Sequence, residues 1–391
     1  MFKHKDIQFD ILKQRAFNYR WAEVADGVIP LTAADPDFPV ASEIVEAVKQ
    51  YASSGYFSYG PPQGDVAFKE AVANYYQQHY QSEVHADFVL PVNSAAYGLF
   101  VVMKHVLSEG GGNVIIPDPV DFLFRKSVEH AGGEVRTCSL LPGTACFDAT
   151  QLVNLIDENT KAIMICNPNN PLGLQMDSQH LKALIALAEN KGIYIVSDEI
   201  WADIHYGHPT TSLFSNRLPK YQKAIVVSGL SKNFGLAGLR IGYVMVRDAG
   251  LFQAIFQQSG HAGTAFGLQP IAQAAGVVAL NNCQYWLEAF RVHLLKMRSM
   301  CSDFLSASRL LSEVQTDATY LAFPALSGRE QCAETYVRNM NEWAKVALVP
   351  GGGNWFEKSS EAHVRICFAS SDVILEQAFS KLLEAEKHYF V

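Results

Sequence analysis

From about residue 85 to 250 the chain repeats one pattern. A short run that is apolar at nearly every position is followed by a longer stretch with apolar residues at helical spacing. The runs cover residues 88–90, 113–116, 161–166, 193–197, 224–227 and 242–246. A strand with one wet face alternates apolar with polar residues, whereas a strand that is apolar throughout must be covered on both faces. Between two of the runs, Leu181, Leu184, Ile185 and Ala188 mark one face of a helix that begins at Asp177 and is stopped by Gly192. Strand, helix, strand in repetition predicts an α/β fold with a mainly parallel sheet and helices on both sides. Sheets of this kind gather ligands at the carboxyl ends of their strands, so residues just after the runs are the first place to look for chemistry.

Near residue 283 the character changes. Trp286, Phe290, Leu294, Met297, Cys301 and Phe304 recur at three- and four-residue steps and predict one long amphipathic helix. Beyond it, 320–323 and 364–368 read as strands, and 373–387 as a final helix. This tail reads as a smaller α+β domain. The chain therefore divides into an N-terminal segment, 1–45, that returns to the small domain, a large α/β domain, 46–282, and the connecting helix with the small domain, 283–391.

The bulk numbers narrow the class. A chain of 391 residues with 49% hydrophobic and 18% charged residues can bury a substantial core. A formal net charge of -8 argues against a nucleic-acid binder or an anionic-membrane binder. The seven cysteines are odd in number, widely spread and without a C-x-x-C, which fits reduced thiols in a cytoplasmic protein and no zinc site. The N-terminus lacks the apolar core of a signal peptide, and no uncharged apolar run is long enough to span a membrane. His205 and His208 have no third ligand in view and sit beside Gly207 and Pro209, so they read as structural residues of a surface turn, not as a metal pair.

The segment from Gly229 to Gly242, Gly-Leu-Ser-Lys-Asn-Phe-Gly-Leu-Ala-Gly-Leu-Arg-Ile-Gly, carries the most chemistry. Burial lowers the pKa of a lysine, and a neutral amine can form a Schiff base. An arginine offers a planar, permanent charge suited to phosphate. An amine for an aldehyde, at Lys232, and a guanidinium for a phosphate, at Arg240, are what pyridoxal 5'-phosphate requires. The segment resembles the lysine signature of the class I/II aminotransferase family. That resemblance extends from Ala34 to Arg365. It implies a fold-type I pyridoxal-phosphate enzyme with a seven-stranded sheet, working as a homodimer with shared active sites.

The resemblance also implies roles for residues elsewhere. The loop Asn167-Pro168-Asn169-Asn170-Pro171-Leu172-Gly173 is similar to the family's N-P-x-N-P-x-G, which puts Asn170 against the cofactor's phenolic oxygen and near the substrate. Ser197-Asp198-Glu199-Ile200 closes a buried run and resembles the D-E-I pattern whose first aspartate, Asp198, holds the ring nitrogen protonated. Asn93-Ser94-Ala95-Ala96 follows a strand and opens a helix, where free backbone N–H groups suit phosphate, and Ser231 joins that set. Tyr59, in Tyr59-Gly60-Pro61-Pro62-Gln63-Gly64, resembles the tyrosine that reaches the neighbouring subunit's phosphate. Ala34, in Ala33-Ala34-Asp35-Pro36-Asp37-Phe38, occupies the glycine position of a segment over the substrate. Arg365 takes the place of the arginine that clamps the substrate's α-carboxylate, and Tyr320 that of an inner-wall residue.

Two positions depart from the family. Trp201 stands where tyrosine or histidine supports the phenolic oxygen, and its indole can only donate. The aromatic that stacks on the ring falls on Asp121 by direct count, with Phe122 one residue on. The expected reaction is transamination between an L-amino acid and a 2-oxo acid. The alternative is β-elimination by a cystathionine β-lyase-like carbon–sulfur lyase, favoured by Ala34-Asp35-Pro36-Asp37-Phe38 and opposed by Leu174-Gln175-Met176 after the asparagine loop.

Overall fold

The computed structural model describes residues 1–15, 18–263, 267–327, 332–352 and 354–390. Its strands, in chain order, are β1 Ile29–Pro30, β2 Val89–Val92, β3 Asn113–Asp118, β4 Glu134–Ser139, β5 Thr160–Cys166, β6 Tyr194–Asp198, β7 Ala224–Gly229, β8 Gly242–Met245, β9 Leu321–Ala322, β10 Val346–Ala347, β11 Val349–Pro350 and β12 Val364–Cys367. Seven of them form one sheet in the order β2-β8-β7-β6-β5-β3-β4. Strands β7, β6, β5, β3 and β4 run parallel, and β8 is antiparallel to both of its neighbours. The fold is an α/β fold built on a mainly parallel seven-stranded sheet.

The buried runs explain this order. Every residue of β2, β7 and β8 is buried, because helices cover both faces. The helix Ser178–Lys191 is started by Asp177, whose carboxylate accepts from the Gln179 and His180 amides. It ends at Gly192 in the left-handed region, φ 65°. The apolar-run pattern misses β4. This edge strand reads Glu-Val-Arg-Thr-Cys-Ser and is only partly buried, so polar residues replace the continuous apolar signature.

The helices Pro270–Asn282 and Gln284–Ala307 meet at Cys283. Past this joint β9, β12 and β11 form a small antiparallel sheet, and β1 pairs in parallel with β10. The N-terminal segment is thereby sewn to the C-terminal part of the chain. The final helix, Asp372–Glu386, packs on the long helix, with Phe304 and Phe379 stacked at 4.5 Å. Among the described residues no helix is long and apolar enough to cross a membrane.

Candidate active site

A cavity of about 550 Å³ opens where the carboxyl ends of β2, β3, β5, β6 and β7 meet the N-terminal segment and the small sheet. Its floor is built by short loops that leave those strands. After β7, Ser231 and Lys232 reach it; at the end of β6, Asp198; after β5, Asn170; after β2, Ser94, Ala95 and Ala96.

Lys232 Nζ donates to the Ala34 carbonyl at 2.7 Å and lies 5.4 Å from the ring centre of Trp201. Burial lowers its pKa, against the opposing pull of Asp35. Asp198 sits one strand over, and burial raises its carboxyl to about 7, although the Ile200 amide donates to it at 3.0 Å. It forms no ion pair among the described residues. Glu199 points the other way, as successive residues on a strand must. It accepts from the Leu213 amide at 2.7 Å inside the core and does not border the cavity.

The three asparagines of the β5 loop divide their work. Asn167 braces the loop by accepting from the Met176 amide and donating to the Thr211 carbonyl, and Asn169 ties it to Pro119 and Leu172. Asn170 alone faces the cavity. Its Nδ2 donates to Asp121 at 2.8 Å, and its Oδ1 accepts from Arg365 at 3.3 Å.

At one end lies the start of the helix Ala95–Val106. Ser94 caps it, accepting from the Tyr97 amide at 3.2 Å, with φ at 111°. Gly242 on β8 is required here, because a Cβ on it would meet the Ser94 carbonyl carbon at 2.3 Å. Arg240 lines the same end and forms no ion pair among the described residues. First-turn amides, two serines and an unpaired guanidinium suit a phosphate. A buried carboxyl without a cation suits a protonated ring nitrogen. A cavity-facing lysine with a lowered pKa suits an aldehyde. The residues present therefore fit pyridoxal phosphate.

The opposite wall comes from distant sequence. Arg365, on β12, is 6% exposed, donates to Thr32 O at 3.1 Å, and has a buried Nε without a partner among the described residues. Burial lowers its pKa. Its guanidinium carbon lies 5.6 Å from the ring centre of Phe356. Phe122 and Trp355 meet edge to face at 5.7 Å, and the Phe122 amide donates to Trp355 O.

The cavity thus brings together Lys232, Asp198, Asn170, Ser94, Ala95, Ala96, Ser231, Arg240, Trp201, Phe122, Ala34 and Arg365. Tyr320 is a correction, because it is fully buried behind the wall. Its ring packs edge-on against Trp201 at 4.7 Å, and its hydroxyl donates to Ala34 O at 3.3 Å. It borders the lining through those two residues and not the cavity itself. Tyr59 is 87% exposed and lies away from the cavity, beside Pro270 and Gln273.

Arg20, Trp355 and Phe356 also border the cavity, and sequence reasoning passed over them. No motif marks them. The aromatic pair at 355–356, just after a glycine turn, was the only available hint. His205 engages Arg291 at 3.1 Å.

Comparison with known proteins agrees with this geometry. The family described as "Aminotransferase class I and II" matches residues 26–382. An aspartate aminotransferase of Pyrococcus horikoshii is 28% identical over 94% of this chain and 93% of its own. Among solved structures, aspartate aminotransferase from Thermus thermophilus with maleate superposes with a TM-score of 0.85 at 26% identity, covering 96% of each chain. Cystalysin from Treponema denticola, which contains pyridoxal 5'-phosphate, superposes with a TM-score of 0.88 over the whole of both chains at 21% identity, a likeness of fold.

Proposed function

Because the chain belongs to the aminotransferase class I and II family and is a pyridoxal-phosphate-dependent aminotransferase acting on an amino acid and a 2-oxo acid, we propose the following division of labour among its residues. One observation carries it. A lysine with a lowered pKa and a carboxyl raised to about 7 share one cavity at the ends of adjacent parallel strands.

When bound, pyridoxal phosphate supplies an aldehyde that captures amines and a ring that accepts electrons. The Ala95 and Ala96 amides, the Ser94 and Ser231 hydroxyls and Arg240 hold its phosphate. Asp198 holds a proton on the ring nitrogen. The charge of that nitrogen in turn resolves the cost of leaving Asp198 ionised and buried. Asn170 and the Trp201 indole donate toward the phenolic oxygen, and Phe122 flanks the ring. Arg365 takes the substrate's α-carboxylate in a two-pronged clamp, and its unpaired Nε gains a partner by doing so. Lys232 accepts the α-proton on Nζ, a role favoured by the burial that lowers its pKa, and returns it at the end of the proton transfer. Ala34, across from Lys232, keeps that amine aimed by its carbonyl.

The working form is a homodimer. Tyr56, Phe57 and Tyr59 are 78%, 69% and 87% exposed on one extended stretch, a run of aromatic surface that a second copy would cover. Tyr59 would then serve the partner's phosphate site. A division at 45 and 282 is supported by the β1–β10 pairing, which ties the N-terminal segment to the C-terminal part, and by the helix break at Cys283, while residue 45 itself falls within the helix Ser42–Ser53. A cytoplasmic location fits the six buried thiols.

The test is to mix the yellow holoenzyme with single amino acids, with and without 2-oxo acids. The aminated form of the cofactor, new amino acid, pyruvate and thiol are followed together. Amination that reverses with an oxo acid is expected. Steady thiol and pyruvate release from cystathionine without any oxo acid would instead identify a lyase.

A further inference from the structure

The charges that border the cavity are accounted for one by one, given the roles above. Arg240 serves the phosphate, Asp198 the ring nitrogen, Lys232 the reacting centre and Arg365 the α-carboxylate. Arg20 is spent on Asp37, with both side chains fully buried. Arg125, on the helix Leu123–His130 that borders the mouth, is held by Glu357 through Nε at 3.1 Å and a terminal nitrogen at 2.5 Å. Among the described residues, what remains on the lining is acidic: Asp121, which accepts from Asn170 and from the Leu123 amide, and Glu23. Phe356 lies under the Arg365 guanidinium, and its chain neighbour Trp355 meets Phe122 edge to face on the same lining, so this wall is aromatic.

We propose that the preferred amino donor carries a large, uncharged, apolar side chain, of the phenylalanine or leucine kind, seated on the Phe122–Trp355–Phe356 wall. The proposal rests on the reading of Arg365 as the α-carboxylate clamp. A phenyl or isobutyl group loses water against that wall and gains dispersion contacts. The side-chain carboxylate of aspartate would lose water there with Asp121 close by, while the cations bordering the cavity are already engaged in the roles above. In this respect the chain parts from relatives that are named aspartate aminotransferases.

The test uses the dimeric holoenzyme and reads binding separately from turnover. Visible absorption of the bound cofactor is titrated with 3-phenylpropanoate, succinate and acetate, and kcat/KM is measured for phenylalanine, leucine, aspartate, glutamate and lysine. Phenylpropanoate is expected to bind at least about tenfold more tightly than succinate, and phenylalanine to exceed aspartate in kcat/KM by about 100-fold. Trp355→Ala should weaken phenylpropanoate about tenfold while leaving acetate unchanged. Trp355→Arg should raise succinate above phenylpropanoate. Succinate binding as tightly as phenylpropanoate, or aspartate, glutamate or lysine proving the best donor, overturns the proposal and leaves the aminotransferase intact. Absence of turnover with every amino acid, while phenylpropanoate still outbinds succinate, overturns the assigned roles in catalysis and leaves the preference of the wall standing.

Discussion

The N-terminal segment and strand β12 each bring a buried arginine to the same cavity, and the two are in opposite states. Arg20 is locked. Asp37 pairs with it, the Trp21 indole donates to the same carboxylate at 2.6 Å, and its pKa ends up raised, because burial, which lowers it most, is outweighed by Asp37, Cys367 and Asp35 together. Among the described residues Arg365 is hydrogen-bonded by an amide oxygen and a backbone carbonyl and forms no ion pair, and burial leaves its pKa lowered. A paired buried charge is architecture, whereas an unpaired one is a binding site waiting for its counter-ion. The same distinction separates Asp37 from Asp198. Charge state, more than position on the cavity, tells which residues hold the walls together and which act.

Removing the acting residues should abolish chemistry, and removing the locked ones should loosen the fold. The largest effect is expected for Lys232→Ala. Turnover should fall by at least about 10⁴-fold, with thermal stability of the cofactor-free protein held or raised, since a desolvated amine is gone; steady-state rates and a thermal melt check both. Next, Arg20→Leu strands Asp37 and should cost about 3–5 kcal/mol of stability in urea unfolding, whereas Arg20→Leu with Asp37→Leu should recover most of that loss. A mere drop in kcat/KM without destabilisation would break the contrast.

Arg365→Leu should do the reverse, lowering kcat/KM about 100-fold or more with little change in the unfolding midpoint. The contrast can be sharpened with pH. Asp198 rises from 3.8 in the unfolded chain to about 7 in the cofactor-free fold. Between those values the folded state holds the extra proton, so its contribution is present below pH 4 and is lost as pH rises through 7. Asp198→Asn should therefore melt higher than the cofactor-free parent at pH 8 and alike at pH 4, while binding the cofactor more weakly. The smallest effect is expected for Tyr320→Phe, about 1 kcal/mol of stability from the lost bond to Ala34, with KM unchanged if the ring only backs Trp201.

Much of the site was readable because it is local. Lys232, Asp198, Asn170 and Ser94 each lie within a few residues of the end of a buried strand, and a parallel sheet aligns such ends along one edge. An apolar run on a parallel sheet thus predicts where its following residue will stand. The polar edge strand β4 escaped that reading for the opposite reason, because one side of it has no neighbour to bury it. Arg365 was reachable through its resemblance alone. Nothing local in Val364-Arg365-Ile366 distinguishes a clamp from a surface pair.

By itself, then, the chain's order of residues determined the parallel sheet, the lysine and its cofactor, and the run of groups along the strand ends, since each follows from periodicity or from neighbours in sequence. Only tertiary structure decided the rest. It set which arginine would be neutralised, moved Tyr320 behind the wall, turned Glu199 inward while Asp198 faced the cavity, and laid Phe122, Trp355 and Phe356 beside Arg365. Those outcomes depend on desolvation and on pairing between residues hundreds of positions apart, such as Asn170 with Arg365, and neither quantity exists until the chain has closed on itself.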